Sequence, residues 1–265
     1  MSILLDVRGL MKRFQGLTAL RWVDLQVPEF AIVSLIGPNG AGKTTCFDCL
    51  TGFHTPDDGE ILFGGVSLWG MSADRIVQTG IARTFQNGRL FPGMTVVEQV
   101  MVGMHPRLRT GALGAVLRTP RARQEEREAR ARAESLLHLM GLHGLEDQPI
   151  ERLTVTPLRR LEIARALASQ PRLLLLDEPT AGMSPDERDA LMNLLRHLRD
   201  QIGITVLLIE HDMRVVMNIS DRVTVLDYGQ KIAEGTPAEI QRDTRVIEAY
   251  LGVMPDDENG SFGRG

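Results

Sequence analysis

A short run of β-branched and apolar residues, Ala31-Ile32-Val33-Ser34-Leu35-Ile36, leads without a spacer into Gly37-Pro38-Asn39-Gly40-Ala41-Gly42-Lys43-Thr44-Thr45. That junction predicts strand, glycine-rich loop and helix in succession. Residues 37–44 fit the pattern G-x-x-x-x-G-K-[ST] in full. Positions without side chains let backbone N–H groups wrap a polyphosphate, and the helix that follows adds the positive end of its dipole. In such a loop Lys43 is placed to reach the β- and γ-phosphates, and the Thr44 hydroxyl to ligate magnesium.

Two further runs, Arg172-Leu173-Leu174-Leu175-Leu176-Asp177-Glu178 and Ile204-Thr205-Val206-Leu207-Leu208-Ile209-Glu210-His211, are largely apolar and end in polar residues. Continuous rather than alternating hydrophobicity predicts burial on both faces, as in a parallel sheet covered by helices, and an α/β fold. The polar residues then stand at strand C-terminal ends. Asp177 is the candidate to anchor a phosphate-bound magnesium, and Glu178 to polarise the attacking water. His211 would stand beside the γ-phosphate if its strand neighbours that of Asp177. Gln86, in Arg83-Thr84-Phe85-Gln86, is an uncharged group able to touch the metal or the water.

Between these motifs Thr95 to Gln148 is poor in strand signals and rich in Arg, Glu, Ala and Leu, which predicts a helical insert. Arg118 to Glu134 holds six arginines and four glutamates, and the interspersed acids fit a solvated helix face better than a phosphate-tracking stripe. A net charge of -4 over 265 residues lacks the field of a DNA-coating protein. The sequence contains no uninterrupted apolar stretch of the ~18–20 residues needed to cross a bilayer. Asp6 and Arg8 interrupt the first residues where a signal-peptide core would be, so a cytosolic chain is expected. Cys46 and Cys49 form a C-x-x-C spacing without a second ligand pair, and helix packing is the expectation for them.

The combination of Gly-Pro-Asn-Gly-Ala-Gly-Lys-Thr-Thr from 37, Thr-Phe-Gln from 84, Leu-Leu-Leu-Leu-Asp-Glu-Pro-Thr from 173 and Ile-Glu-His-Asp from 209 resembles the ATP-binding subunit of ABC transporters, from about Leu4 to Gly252. The resemblance implies a P-loop NTPase with a RecA-like core and its parallel sheet (about 4–94 and 158–252), an antiparallel β part, a helical subdomain (about 95–157) and a disordered tail (253–265). By that likeness ATP lies on Gly37, Pro38, Asn39, Gly40, Ala41, Gly42, Lys43, Thr44 and Thr45, with Phe14 stacked on adenine. Magnesium falls to Thr44, Gln86 and Asp177, and catalysis to Glu178 with His211 as a switch.

Arg83-Thr84-Phe85-Gln86-Asn87-Gly88-Arg89-Leu90-Phe91, Arg160-Leu161-Glu162-Ile163-Ala164-Arg165-Ala166-Leu167, Glu210-His211-Asp212-Met213 and Glu248-Ala249-Tyr250-Leu251-Gly252 are similar to the LivG-type subunit of bacterial branched-chain amino-acid importers. That likeness implies uptake of branched-chain amino acids or related small solutes. It also implies a second ATP-binding subunit of LivF type in a heterodimer, two integral membrane permeases, a periplasmic binding protein reached through the complex, no nucleic acid, and a peripheral place on the cytoplasmic face of the inner membrane.

One segment departs from the family. Where it has Leu-Ser-Gly-Gly-Gln, or in this subfamily often Leu-Ser-Tyr-Gly-Gln, this chain has Leu153-Thr154-Val155-Thr156-Pro157. In the family that segment opens a helix whose N–H groups grip the γ-phosphate held by the partner subunit. Thr156 replaces the glycine that allows close approach, and Pro157 has no N–H to donate, whereas Thr154 retains a hydroxyl able to cap the helix. An asymmetric pair of sites is therefore expected. The rival readings are an ABC-type ATPase of nucleic-acid repair or macromolecular assembly, and a nucleotide kinase. The first usually carries coiled coils, tandem domains or a basic extension, and the second does not readily explain Gln86, Glu178 and His211 together.

Overall fold

A computed structural model describes residues 2–84, 90–107 and 120–251. Gln86 and the tail 253–265 lie outside the described residues, so the expectations for them have no structural counterpart here. Two sheets organise the chain. β1 (Ile3–Phe14) turns into β2 (Leu17–Pro28), and β4 (Asp58–Phe63) with β5 (Val66–Ser67) completes an antiparallel sheet in the order β2-β1-β4-β5. β3 (Ile32–Ile36) instead enters a second sheet with β6 (Ile81–Arg83), β7 (Leu173–Asp177), β8 (Thr205–Ile209), β9 (Arg222–Asp227) and β10 (Gln230–Gly235). Its order is β10-β9-β3-β8-β7-β6, parallel throughout except for β10 on β9.

The continuous apolar runs are explained by what covers the second sheet. Val33, Leu35, Leu173, Leu175, Leu207 and Ile209 share a cluster with Phe47 and with Leu5, Leu25 and Ile61 of the antiparallel sheet. Their neighbours Ile32, Leu174, Leu176, Val206 and Leu208 face the opposite side, into a cluster with helix residues Val97, Leu161, Leu191 and Leu195. Every residue of β3, β7 and β8 is buried, as two covered faces require.

The helices are α1 (Lys43–Leu50), α2 (Ala73–Thr79), α3 (Val96–Gly103), α4 (Pro120–Leu139), α5 (Val155–Leu167), α6 (Pro185–Ile202), α7 (Met213–Ile219), α8 (Pro237–Ile240) and α9 (Thr244–Leu251). Local sequence sets several of their ends. Ser184 and Glu187 form a reciprocal capping box ahead of α6, Pro185 takes its first position, and Gly203 closes it in the left-handed conformation. Thr95 and Glu98 do the same for α3.

Between Thr95 and Gln148 no strand occurs among the described residues beyond an isolated bridge of Thr95 with Pro149. α5 begins at Val155 and runs across residue 158 to Leu167. On the arginine-rich helix Arg130 pairs with Glu134 at 2.9 Å and with Asp147, beyond the helix, at 2.8 Å, and Gln124 bridges Glu128 and Arg127, each at 2.8 Å. Cys46 and Cys49 are free and buried on α1, and burial pushes both thiols up, Cys49 to about 12. They pack the helix.

Candidate functional site

The phosphate loop spans the six residues between β3 and α1. Gly37 (φ 148°) and Gly42 (φ 99°) both occupy backbone conformations that side chains rarely adopt. A Cβ at Gly37 would collide with the Leu226 carbonyl oxygen, and one at Gly42 would come within 2.6 Å of the Ala19 carbonyl and 2.9 Å of Leu20. The loop is thus clamped between β9 and the β1–β2 hairpin, and only glycine fits the clamp. Lys43 folds back across it, donating from Nζ to the carbonyls of Gly37 at 2.7 Å and Pro38 at 2.9 Å. The N-terminal N–H groups of α1 lie beyond, with their partial positive charge. Thr44 is exposed at that end and Thr45 half-buried.

Asp177 ends β7 at 3% exposure, and Glu178 follows with φ 47°. Its N–H donates to the carbonyl of Ile209, the last residue of β8. β7 and β8 are neighbours, with Asp177 in register with Ile209, which meets the condition for His211 to share the site. His211 Nδ1 lies 3.8 Å from Glu178 Oε1. Burial lowers the pKa of Lys43 from its ordinary value, and the charges of Glu178 and Asp177 oppose that shift. Phosphate loop, acid pair and histidine therefore meet at the carboxyl ends of adjacent parallel strands, where open α/β sheets bind ligands.

The donor set suits a phosphate-bound magnesium ion. Thr44 offers a hydroxyl and Asp177 a carboxylate, both hard oxygen ligands, while Lys43 and the start of α1 suit the anion. Burial raises the pKa of the Asp177 carboxyl, and Arg83 opposes the rise with a hydrogen bond and its charge. Phe14 stands at the tip of the β1–β2 hairpin, the same hairpin that closes on Gly42. Its ring meets His54 edge-on at 5.0 Å and carries Lys12 Nζ 5.3 Å away.

Sequence reading passed over three groups that hold the site. Arg83 ion-pairs with Asp177 at 3.0 Å and with Asp48 of α1 at 2.5 Å. Glu210, wholly buried, accepts from the Thr180 hydroxyl at 2.5 Å and the Thr180 N–H at 3.1 Å, fixing the loop after Glu178 to the end of β8. Asp212 pairs with Arg188 of α6 beside His211. The only signal for any of them was an arginine or acid next to a motif residue. In the departing segment, Thr154 is the N-cap of α5 by backbone geometry, but its side chain makes no capping bond, contrary to expectation. Thr156 donates instead to Glu187 of α6 at 2.6 Å.

Residues 20–181 match the family described as ABC transporter, and residues 230–254 the one described as branched-chain amino acid ATP-binding cassette transporter. The chain is 47% identical over 249 residues to the high-affinity branched-chain amino acid transport ATP-binding protein BraF of Pseudomonas aeruginosa, covering 94% of this chain and 98% of that one. Identity and coverage are the same for the corresponding protein LivG of Escherichia coli. Among solved structures, the ADP conformation of an ATP-binding cassette of an ABC transporter is similar with a TM-score of 0.81 at 29% identity, over 95% of this chain and 100% of that one. A dimeric cassette in a post-hydrolysis state, bound to ADP and Pi, is similar with a TM-score of 0.75 at 25% identity, over 88% and 98%.

Proposed function

The chain belongs to the ABC transporter family, and from that premise we propose that it binds and hydrolyses ATP to energise uptake of branched-chain amino acids or related small solutes through separate permease subunits. The observation that carries this reading is the meeting of Lys43, Asp177, Glu178 and His211 at the ends of β3, β7 and β8. The solute class follows the names of the BraF and LivG relatives and the match over residues 230–254.

In this reading residues 37–45 cradle the phosphates, Lys43 neutralises the transferred group, and Phe14 stacks on adenine. Magnesium, ligated by Thr44, Asp177 and Gln86, would draw charge from the phosphate oxygens. Glu178 takes the proton of the attacking water, and His211, 3.8 Å from it, senses the γ-phosphate. Glu210 and Arg188 keep the two flanking loops in register with one another. Residues 95–157 form the helical subdomain that meets the membrane subunits, with the RecA-like core on either side.

No helix of the described residues is long and apolar enough to cross a membrane. Following the relatives named for branched-chain amino acid transport, the partners in this reading are two integral permeases that form the solute's path, a periplasmic binding protein that delivers the solute, and a second ATP-binding subunit of LivF type. The proposed location is the cytoplasmic face of the inner membrane. An ATPase of nucleic-acid repair is disfavoured, because glutamates are interspersed with the arginines of α4, Arg130 being paired with Glu134 and Asp147, and because the relatives named above are named for transport. Reconstitution of the chain with its permeases and second ATP-binding subunit in vesicles, with ATP inside and leucine-loaded binding protein outside, tests the proposal. Wild-type chain should drive leucine uptake and Glu178→Gln should abolish it; uptake of equal rate in both contradicts the assignment.

A further inference from the structure

Arg83 lies on neither the helix that follows the phosphate loop nor the strand that carries Asp177, yet its side chain is 6% exposed and joins both. One nitrogen, Nη2, donates to Asp177 Oδ2 at 3.0 Å. The other, Nη1, donates to Asp48 Oδ1 at 2.5 Å and lies 3.4 Å from the Thr51 hydroxyl. The guanidinium carbon also stands 5.4 Å from the ring centroid of Phe47. Phe47 and Asp48 belong to α1, the helix that Lys43 and Thr44 begin, and Thr51 caps its C-terminus; Asp48 follows Thr44 by one helical turn. The next residue, Thr84, holds the same acid by its backbone: Asp177 N–H points to the Thr84 hydroxyl at 3.4 Å, and Thr84 N–H donates to Leu175.

Thr44 and Asp177, the two described residues assigned to the metal, thus come from separate elements that a single planar, two-pronged cation ties together. Arg83 takes one lone pair of Asp177 Oδ2, and the carboxylate keeps further lone pairs able to serve a metal. A fork of fixed shape sets both the carboxylate's rotation and its distance from α1, which a point charge on a flexible stem would not do.

We propose that Arg83 is a positioning residue for the magnesium side of the nucleotide site, acting through Asp177 and Asp48. The inference rests on the reading of Asp177 as a metal-side acid. In this reading Arg83 acts through the two carboxylates it pairs with rather than on the nucleotide. Its contribution is to present Asp177 at the right place relative to Thr44, so it belongs to metal-dependent nucleotide affinity rather than to the grip of the phosphate loop.

The test is equilibrium binding of a non-hydrolysable fluorescent ATP analogue to the full chain, first in EDTA and then along a magnesium titration. Wild-type affinity should rise with magnesium. In Arg83→Met the EDTA affinity should stay within about twofold of wild type, while the magnesium-dependent gain falls by about tenfold or more, as loss of an outer-shell partner does. Arg83→Lys should recover only part of the gain. Because Arg83→Met leaves two carboxylates without their shared cation, Asp48→Asn provides a milder second variant, which cuts the same strut at its more exposed end. It should lose the gain in the same direction by a smaller factor. A magnesium gain equal to wild type in folded Arg83→Met, or in Asp48→Asn should Arg83→Met not fold, overturns the inference and leaves the site intact. A wild-type chain that binds the analogue without any magnesium gain overturns the assignment of Asp177, and the inference with it.

Discussion

At the scale of single residues, Glu178 bears the heaviest chemical assignment. Its backbone is held in a left-handed conformation by a bond to the end of β8, so its side chain is aimed by the sheet rather than by a flexible loop. Glu178→Gln is isosteric and removes the carboxylate proposed to act as base. Steady-state hydrolysis should fall by about 10²–10⁴-fold while equilibrium ATP binding is retained; a variant that turns over at the wild-type rate removes the assignment.

A second residue-scale prediction concerns Cys46 and Cys49. Burial raises both thiols on folding, Cys49 to about 12, so the stability they contribute is complete below the unfolded thiol value of about 8.5. It is lost as pH rises beyond that, by up to about 1.4 kcal/mol per unit for each thiol. Urea midpoints should therefore decline from pH 8 to pH 10.5, and less steeply in the Cys46→Ala, Cys49→Ala double variant. Native protein at pH 8 should resist iodoacetamide. Parallel declines in the two proteins contradict the prediction.

Lys43, Asp177, Glu178 and His211 were legible because each is defined by its neighbours in sequence: a glycine loop, or the end of an apolar run. Arg83 was not. Its partners Asp48 and Asp177 are 35 and 94 positions away, and only the placement of β6 beside β7 brings them together.

Elements differ in the same way. The runs 31–36, 172–178 and 204–211 emerge as Ile32–Ile36, Leu173–Asp177 and Thr205–Ile209, since burial on both faces leaves a plain signature. The long strands β1 and β2 carry a shorter signature: Val23-Asp24-Leu25-Gln26-Val27 alternates in sequence and in burial, whereas the register shifts between Val7 and Arg13 of β1 interrupt alternation in the rest of the hairpin. The most consequential element is α5. With Thr154, Val155, Thr156 and Pro157 at its start, it lacks a glycine and one N–H where the family closes on the partner's nucleotide, and Thr156 is already engaged by Glu187. Losing one preorganised donor costs ~2.7–4 kcal/mol of transition-state stabilisation. The purified chain should hydrolyse ATP slowly even when concentrated. Restoring the segment by Thr154→Ser, Val155→Tyr, Thr156→Gly and Pro157→Gln should raise its turnover at least tenfold. Brisk turnover by the unaltered chain alone contradicts the asymmetric pair.

For the whole molecule, the parallel sheet brings the nucleotide residues to one end, while a second cluster of helices packs on the sheet's other face. Purification of the tagged chain from gentle detergent should recover two integral membrane proteins and a second cassette; recovery of RNA or DNA instead contradicts the transport reading. The measurement that bears most directly on the central claim is a crystal structure of the chain with a non-cleavable ATP analogue and magnesium. The account predicts the triphosphate on the 37–44 loop, with Lys43 Nζ turned from the Gly37 and Pro38 carbonyls toward the β- and γ-phosphates and the metal between Thr44 and Asp177. An analogue bound elsewhere, or a loop that stays empty at saturating concentration, contradicts it.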